Sequence, residues 1–250
     1  MRTALAIGVA IGLASRPAVA PQVELRGKRL AVHLAQGTSN RDGPLLLYVT
    51  GDGGWPGDER LFERMTPWGY PMAAIDAIDY IDSINTARRE LTPAAVAADL
   101  QEIIRIAQRG LELPPDRPTV LVGFSRGAGL AVVGATQKAL HSSLRGVLLL
   151  GLGPVEVFVA EEIPAMPVST VRQFRTYEAL PRLESLRVAL IQSTKDEILP
   201  ASDAQRRFGP DGPTRRFRAL TAKDHSFGGS LTELAQEMRV AVDWIVSDRK

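Results

Sequence analysis

The hydrophobic pattern of this chain alternates between short, continuous apolar runs and longer segments with apolar residues at helical spacing. A continuous run is typical of a strand buried on both faces of a parallel sheet, whereas the longer segments predict amphipathic helices. The predicted sheet strands are 45–49, 72–75, 119–124, 145–150, 188–192 and 214–220. The predicted helices are 58–68, one that begins near Thr92-Pro93, about 127–140, 201–208 and 231–246. The alternation predicts an α/β fold with a mostly parallel central sheet and helices on both faces, formed by one domain over residues 21–250.

Three segments depart from this alternation. Residues 23–25 and 29–34 predict two short antiparallel strands near the start of the chain. The acids Asp76, Asp79 and Asp82 follow the second sheet strand and predict a loop. Residues 155–185 lack a clear period and contain three prolines, so we expect an insert or lid between sheet strands there.

The first 20 residues predict a secretory signal peptide. Met1-Arg2 gives a positive start, residues 4–14 are uninterrupted small and apolar, and Ala18-Val19-Ala20 forms an A-x-A cleavage site. The apolar run is shorter than the about 20 residues that a membrane span needs. Pro21 follows the expected cleavage site directly and would hinder cleavage there. We therefore expect export to the periplasm, with the cleavage point left open.

Composition excludes several classes of function. The sequence holds 30 basic and 28 acidic residues, and removal of residues 1–20 takes away Arg2 and Arg16, which leaves a formally neutral chain. Because no basic stripe with interleaved aromatic residues is present either, we expect no nucleic-acid partner. Cysteine is absent, so there is no disulfide and no thiol nucleophile, and three histidines argue against a multi-histidine metal site. We expect neither a metal nor an organic cofactor.

The candidate nucleophile is Ser125. It lies in Gly123-Phe124-Ser125-Arg126-Gly127, between an apolar strand and a small-residue segment with helical character. This is the G-x-S-x-G context in which a serine occupies a sharp strand-to-helix turn above the sheet. The motif alone is equally compatible with a glycine-rich turn, so its interpretation depends on partners elsewhere in the chain.

Those partners follow later predicted strands. Ser125, then Asp196, then His225 is the serine–acid–histidine order of α/β-hydrolases, and each follows a strand whose carboxyl end lies at the same edge of the sheet. The imidazole would accept the serine proton, and the carboxylate would fix the imidazole tautomer. Glu197 and Glu156 remain rival acids. The other two histidines, His33 and His141, are expected to be structural and solvated, respectively.

A second informative stretch, Gly51-Asp52-Gly53-Gly54-Trp55, follows the first sheet strand. We call residues 51–55 the glycine loop. Its backbone amides have little steric cover and predict half of an oxyanion hole, the other half being the backbone amide of Arg126. The sequence favours Asp52 or Gly53 as the loop donor and does not choose between them.

With these motifs in place, residues 44–250 resemble the VirJ/AcvB-like family of periplasmic α/β-hydrolases, which are associated with bacterial virulence. The resemblance rests on Gly-Asp-Gly-Gly-Trp after a strand, on Gly-Phe-Ser-Arg-Gly-Ala about seventy residues later, and on the segment from Thr92-Pro93 to Leu100. It implies a serine hydrolase that acts on aminoacylated phospholipid, particularly lysyl-phosphatidylglycerol, with Ser125 and His225 as the matching catalytic positions. The partners it implies are an ester or aminoacyl-phospholipid substrate and a peripheral contact with membrane lipid.

The chain departs from that family directly after the nucleophile. The family usually has Ser-Phe-Gly-Ala-Asp, where this chain has Ser-Arg-Gly-Ala-Gly. An arginine at this place would favour an anionic group such as a phosphate, or disfavour a lysyl ammonium group. Conversely, carboxylates of Asp76 and Asp79, together with Asp52, would bind an ammonium group, and Trp55 is placed with Asp76 and Asp79 as a substrate-binding residue.

The sequence thus predicts an exported serine hydrolase that cleaves acyl esters. Two alternatives stay open at this point. One is a non-catalytic periplasmic binding or adaptor protein that serves secretion or virulence, and the other is a general carboxylesterase for small soluble esters.

Overall fold

The central element of the fold is a seven-stranded sheet. The computed structural model describes residues 20–86, 91–157 and 173–247. The strands are β1 (Gln22–Leu25), β2 (Lys28–Ala31), β3 (His33–Ala35), β4 (Leu45–Val49), β5 (Met72–Ile75), β6 (Thr119–Phe124), β7 (Leu144–Leu150), β8 (Val155–Val157), β9 (Gln173–Arg175), β10 (Arg187–Ser193) and β11 (Arg215–Leu220). The order in the central sheet is β11-β10-β7-β6-β4-β5-β3, and all pairs are parallel except β3 with β5. The predicted mostly parallel sheet is therefore confirmed.

Helices cover both faces of this sheet. They are α1 (Gly54–Met65), α2 (Ala77–Thr86), α3 (Pro93–Gly110), α4 (Arg126–Ala135), α5 (Lys138–His141), α6 (Thr176–Ala179), α7 (Ala201–Phe208) and α8 (Leu231–Val246), with 3-10 helices at Thr66–Trp68 and Leu180–Leu183. Two hydrophobic clusters result, one with α3 and α4 and the other with α1 and α8. Strand β4 explains the continuous apolar runs: Leu45, Leu47 and Val49 belong to the first cluster, and Leu46 and Tyr48 to the second.

Asp79 and Asp82 lie in helix α2 and Asp76 directly precedes it, so the predicted loop is wrong. The Asp76 Oδ1 atom accepts hydrogen bonds from the backbone amides of Ile78 (2.7 Å) and Asp79 (3.4 Å), which starts α2. Ala77, Tyr80, Ile81 and Ile84 then form a buried face at helical spacing. Acidic residues outside that face obscured this periodicity in the sequence.

Three other predicted boundaries also differ. Strand 29–34 is interrupted at Val32, because β2 pairs with β1 while β3 pairs with the edge of the central sheet. The helix predicted from about 127 to 140 is divided into α4 and α5. Helix α1 begins at Gly54, so the second half of the glycine loop is helical. Both α1 and α4 therefore start beside the carboxyl ends of central strands.

The predicted insert at 155–185 is described only in part. Strands β8 and β9 form a separate antiparallel pair outside the central sheet, and α6 follows β9. The middle of the insert and all but the last residue of the predicted signal peptide lie outside the described residues. Across residues 20–86, 91–157 and 173–247, no helix combines the length and apolarity needed to cross a membrane.

Candidate active site

Ser125 occupies a backbone turn that few residues adopt. Its φ is 50° and its ψ is −114°, directly between the end of β6 and the start of α4. The flanking glycines permit this turn, because a Cβ atom on Gly123 would lie 2.3 Å from the Gly127 carbonyl oxygen. A Cβ atom on Gly127 would lie 2.1 Å from the Val49 carbonyl oxygen of the neighbouring strand. We call residues 123–127 the nucleophile elbow.

The structure brings together the serine, histidine and acid that the sequence predicted. The distance between Ser125 Oγ and His225 Nε2 is 2.8 Å, and that between His225 Nδ1 and Asp196 Oδ2 is 2.7 Å. Ser125 and His225 are each 9% exposed and Asp196 is 1% exposed. Three loops that follow β6, β10 and β11 thus supply one continuous hydrogen-bonded line, as the strand order requires.

Asp196 is held in place by more than the histidine. Its Oδ2 atom also accepts a hydrogen bond from Gln192 Nε2 (2.8 Å), and its Oδ1 atom accepts from the amides of Ile198 (2.8 Å) and Leu199 (3.1 Å). Burial alone would raise the pKa of Asp196, but the hydrogen bonds from His225 and from these amides outweigh it and lower the pKa below its ordinary value. The carboxylate is therefore charged and fixed in orientation at neutral pH.

The two rival acids lie elsewhere around the site. Glu197 Oε2 accepts a hydrogen bond from the backbone amide of His225 (2.9 Å), so Glu197 contacts the histidine loop rather than the imidazole. Glu156, on β8, packs against α4, and a Cβ atom on Gly129 would lie only 2.0 Å from Glu156 Cγ. Geometry therefore singles out Asp196 as the imidazole's partner.

The candidate oxyanion donors lie beside the nucleophile. A Cβ atom on Gly51 would be 3.3 Å from Ser125 Cβ, which places the start of the glycine loop against the nucleophile elbow. Within the described part of the chain, the backbone amides of Asp52 and Gly53 donate to no other group. The amide of Arg126 lies at the first position of α4, where helical amides lack intrahelical acceptors. These positions can stabilise an anion that develops at Ser125.

Asp58 is a site residue that the sequence analysis missed. This buried carboxylate accepts hydrogen bonds through Oδ2 from the Gly51 amide (2.8 Å) and from the Tyr48 hydroxyl (2.9 Å). Burial raises its pKa, with the hydrogen bonds from Gly51 and Tyr48 opposing the rise. Asp58 thereby anchors the start of the glycine loop. The sequence signal for this role was the position of Asp58, four residues after the start of α1 and on its apolar side.

A cavity of about 460 Å³ opens above the hydrogen-bonded line. Ser125 and His225 line it, with Asp52 and Gly53 from the glycine loop and Arg60 from α1. Apolar side chains complete much of the wall: Leu61, Phe124, Ile198, Leu231 and Leu234. A substrate with an apolar part and charged groups of either sign would find complementary side chains here.

The predicted substrate-binding residues Asp76, Asp79 and Trp55 do not line this cavity. Asp76 Oδ2 accepts a hydrogen bond from the Trp55 amide (2.6 Å), so it braces the glycine loop. Asp79 forms an ion pair with Lys28 (3.0 Å). The Trp55 ring stacks on His33 with ring centroids 3.6 Å apart. Asp76 and Asp79 are thus engaged outside the cavity, and of the three predicted acids only Asp52 lines it.

The other two histidines, His33 and His141, lie outside the hydrogen-bonded line of Ser125, His225 and Asp196. His33 contacts Trp55 from β3, and burial lowers its pKa. His141 forms hydrogen bonds with the Ala135 carbonyl oxygen (3.1 Å) and with Ser185 Oγ (2.6 Å). Among the described residues, no group of histidine and acidic side chains is arranged to hold a metal ion.

Glu156 has the most perturbed carboxyl group near the site. Burial raises its pKa to about 8, an effect that Arg126 opposes and Asp52 reinforces. Glu156 is therefore mostly protonated and neutral at pH 7. The sequence marked Glu156 as a rival acid but did not predict its burial, which depends on the packing of β8 against α4.

This perturbation predicts a pH-dependent stability difference for Glu156→Gln. The unfolded chain releases this proton near 4.5, whereas the folded chain keeps it up to about pH 8, so native stability falls as pH rises through that window. Glutamine has no proton to release. Between about pH 5 and pH 7, we expect the unfolding free energy of the variant to rise relative to that of the wild type by roughly 2–3 kcal/mol.

Urea unfolding at several pH values measures this difference in unfolding free energy. The exposed Glu178, replaced by glutamine, is the matched control and should show no such trend. Stability curves for Glu156→Gln and the wild type that run parallel from about pH 5 to pH 8 would contradict the assignment.

Comparison with known proteins extends these observations. The family model described as bacterial virulence protein (VirJ) matches residues 44–207. Among curated proteins, no match to the chain was found. Est1E from Butyrivibrio proteoclasticus has a similar structure, with a TM-score of 0.60, 14% identity, and coverage of 92% of this chain and 100% of that one. A dienelactone hydrolase from Anabaena variabilis has a TM-score of 0.56 and 18% identity over 88% of this chain and 94% of that one.

These solved structures show that the chain has the α/β-hydrolase fold, as predicted. The match to the family model includes the glycine loop, Ser125 and Asp196, and it ends before His225.

Proposed function

The chain belongs to the VirJ family of bacterial virulence proteins, and on that premise we propose that it is a serine hydrolase that cleaves acyl esters. The observation that carries this proposal is the continuous line Ser125–His225–Asp196, with distances of 2.8 and 2.7 Å, at the base of a cavity. Each of its three side chains has the chemistry that nucleophilic catalysis on an ester needs.

The proposed reaction has two halves. In the first, Ser125 Oγ bonds to the ester carbonyl carbon while His225 Nε2 takes the hydroxyl proton, and the carbonyl oxygen becomes an oxyanion. The amides of Arg126 and of Asp52 or Gly53 stabilise that charge. Collapse breaks the bond to the leaving alcohol, which takes the proton from His225, and leaves an acyl group on Ser125.

In the second half, water replaces the alcohol. His225 accepts a proton from water as the water oxygen bonds to the acyl carbon, and the proton then returns to Ser125 as the carboxylic acid leaves. Throughout, Asp196 holds His225 Nδ1 protonated and stabilises the imidazolium. The starts of α1 and α4 beside the site add partial positive charge near the developing oxyanion.

We further propose an aminoacyl ester of an anionic phospholipid, such as lysyl-phosphatidylglycerol, as the substrate. The cavity supports this through opposite charges on its wall: Asp52 can accept an ammonium group, and Arg60 can bind a phosphate. Ile198, which is 52% exposed, lines the same cavity and provides an apolar contact for lipid. The sequence pattern of residues 1–20 supports export to the periplasm, where such a headgroup is accessible.

Substrate profiling tests this proposal. Phosphatidylglycerol vesicles with and without lysyl-phosphatidylglycerol are incubated with the wild type, and released lysine is measured alongside hydrolysis of p-nitrophenyl acetate. We expect lysine release that depends on Ser125. Hydrolysis of the soluble ester without lysine release would instead identify a general carboxylesterase. No reaction with either substrate, with a cellular phenotype that survives Ser125→Ala, would favour a binding or adaptor protein.

A further inference from the structure

The two halves of the oxyanion hole stand on separate segments of the chain. The glycine loop follows β4, and Arg126 follows β6 at the start of α4. The parallel pairing of β4 with β6 runs from Leu45 with Thr119 to Val49 with Gly123, and then stops. Asp58 fixes the amide of Gly51, which is the base of the loop. Sheet hydrogen bonds therefore do not determine where the amides of Asp52 and Gly53 lie relative to that of Arg126.

The Arg126 side chain spans this gap. Its Nε atom donates a hydrogen bond to Asp52 Oδ1, forming an ion pair across 74 positions of sequence. Its Nη1 atom donates to the Val157 carbonyl oxygen of β8 (2.9 Å). The arginine side chain is 24% exposed and the aspartate side chain is 56% exposed, so water reaches this pair mainly from the Asp52 side. One guanidinium thus connects the nucleophile elbow, the glycine loop and β8.

Glu156 does not compete with Asp52 for this guanidinium at neutral pH. It is 8% exposed and lies next to Val157, close enough for Arg126 and Asp52 both to influence its pKa. Burial keeps the Glu156 carboxyl group protonated, and among the described residues Asp52 forms an ion pair with Arg126. The neutral Glu156 fills the space above Gly129 and supports the segment from which Val157 accepts its hydrogen bond.

We propose that Arg126 is a positioning residue whose ion pair with Asp52 sets the distance between the two halves of the oxyanion hole. This inference rests on the proposed function. The guanidinium acts through the backbone amides of Asp52, Gly53 and Arg126, and does not touch the substrate. A displacement of about 1 Å between catalytic groups can reduce a rate by about 100-fold, so one ion pair at this place matters more than a surface pair elsewhere.

The test uses Arg126→Gln, Asp52→Asn and the double variant, assayed with p-nitrophenyl acetate, which is a neutral substrate. We expect each single variant to lower kcat by about 10- to 100-fold with KM nearly unchanged, because the amides act mainly on the transition state. The double variant should be no worse than the singles, since both remove the same link. Arg126→Lys keeps a cation opposite Asp52 and should retain more activity than Arg126→Gln.

A fluorophosphonate probe gives a second measure, because its reaction with Ser125 also develops charge in the oxyanion hole. Its rate should fall in parallel with kcat. The matched controls are Asp203→Asn and Arg206→Gln, which break an ion pair on α7 outside the cavity lining and should leave both rates unchanged.

Two results would overturn this inference alone. One is a reactive wild type whose kcat is unaffected by Arg126→Gln and Asp52→Asn. The other, seen when the same variants are also assayed with an anionic ester, is a loss confined to KM for that ester, which would make Arg126 a substrate-binding residue. A wild type that shows no Ser125-dependent labelling would instead overturn the proposed function, and the inference with it.

Discussion

Replacing Ser125 with alanine is expected to lower the rate of ester hydrolysis by roughly 10⁴- to 10⁶-fold, since alanine has no hydroxyl group to form the acyl-enzyme. Alanine keeps the Cβ atom, so the unusual backbone at φ 50° is neither relieved nor further strained. The effect should therefore be chemical, with an unfolding free energy close to that of the wild type. Steady-state hydrolysis and fluorophosphonate labelling measure the first quantity, and urea unfolding measures the second.

Ser226 offers a matched control for this experiment. It is a second serine on the wall of the same cavity, adjacent to His225, and it is exposed. Ser226→Ala should leave labelling and turnover within a few-fold of the wild type, because it has no place in the hydrogen-bonded line. Equal losses in the two variants would mean that Ser125 is not the nucleophile.

Replacing Asp196 with asparagine is expected to lower kcat by about 10³- to 10⁴-fold. The asparagine amide can present its NH₂ group to His225 Nδ1, which would leave the imidazole proton on Nε2. The histidine could then no longer accept the proton of Ser125, although the geometry of 2.7 and 2.8 Å would be nearly preserved. Measuring kcat against pH, with single-turnover labelling of Ser125, tests this tautomer effect.

Glu197→Gln is the informative comparison for that variant. The glutamine side-chain oxygen can still accept a hydrogen bond from the His225 backbone amide, so turnover should change by only a few-fold. A greater loss for Glu197→Gln or Glu156→Gln than for Asp196→Asn would reassign the acid.

The sequence predicts the framework of this protein well for a physical reason. Strands buried on both faces give continuous apolar runs, and β4, β6, β7 and β10 are all of this kind. Helix α8 was predicted to the residue because Leu234, Met238, Val242 and Ile245 keep a clear helical period. Helix α2 was missed because its polar face carries Asp79 and Asp82 between buried positions. A local sequence pattern does not reveal a helix where charged residues between the buried positions obscure their helical spacing.

Side-chain contacts between distant segments of the site could not be predicted from the sequence in the same way. The chain order of Ser125, Asp196 and His225 is visible in the sequence because strand ends converge in a parallel sheet. The link between Arg126 and Asp52, the burial of Glu156 under α4 and the bond from Gln192 to Asp196 depend on side-chain packing between distant segments. No local pattern encodes such contacts, and the same is true of the Asp58 anchor of the glycine loop.

His225 follows the last sheet strand and lies outside the residues that match the family model. The family model matches residues 44–207, which contain the glycine loop, the nucleophile elbow and Asp196, whereas the proposed proton acceptor, His225, lies in the loop between β11 and α8. A relative could keep that whole matched segment and replace only this histidine. On the proposed mechanism, its serine would then lack the group that accepts its proton. On the proposed mechanism, one substitution at His225 would therefore abolish hydrolysis and leave the matched segment unchanged.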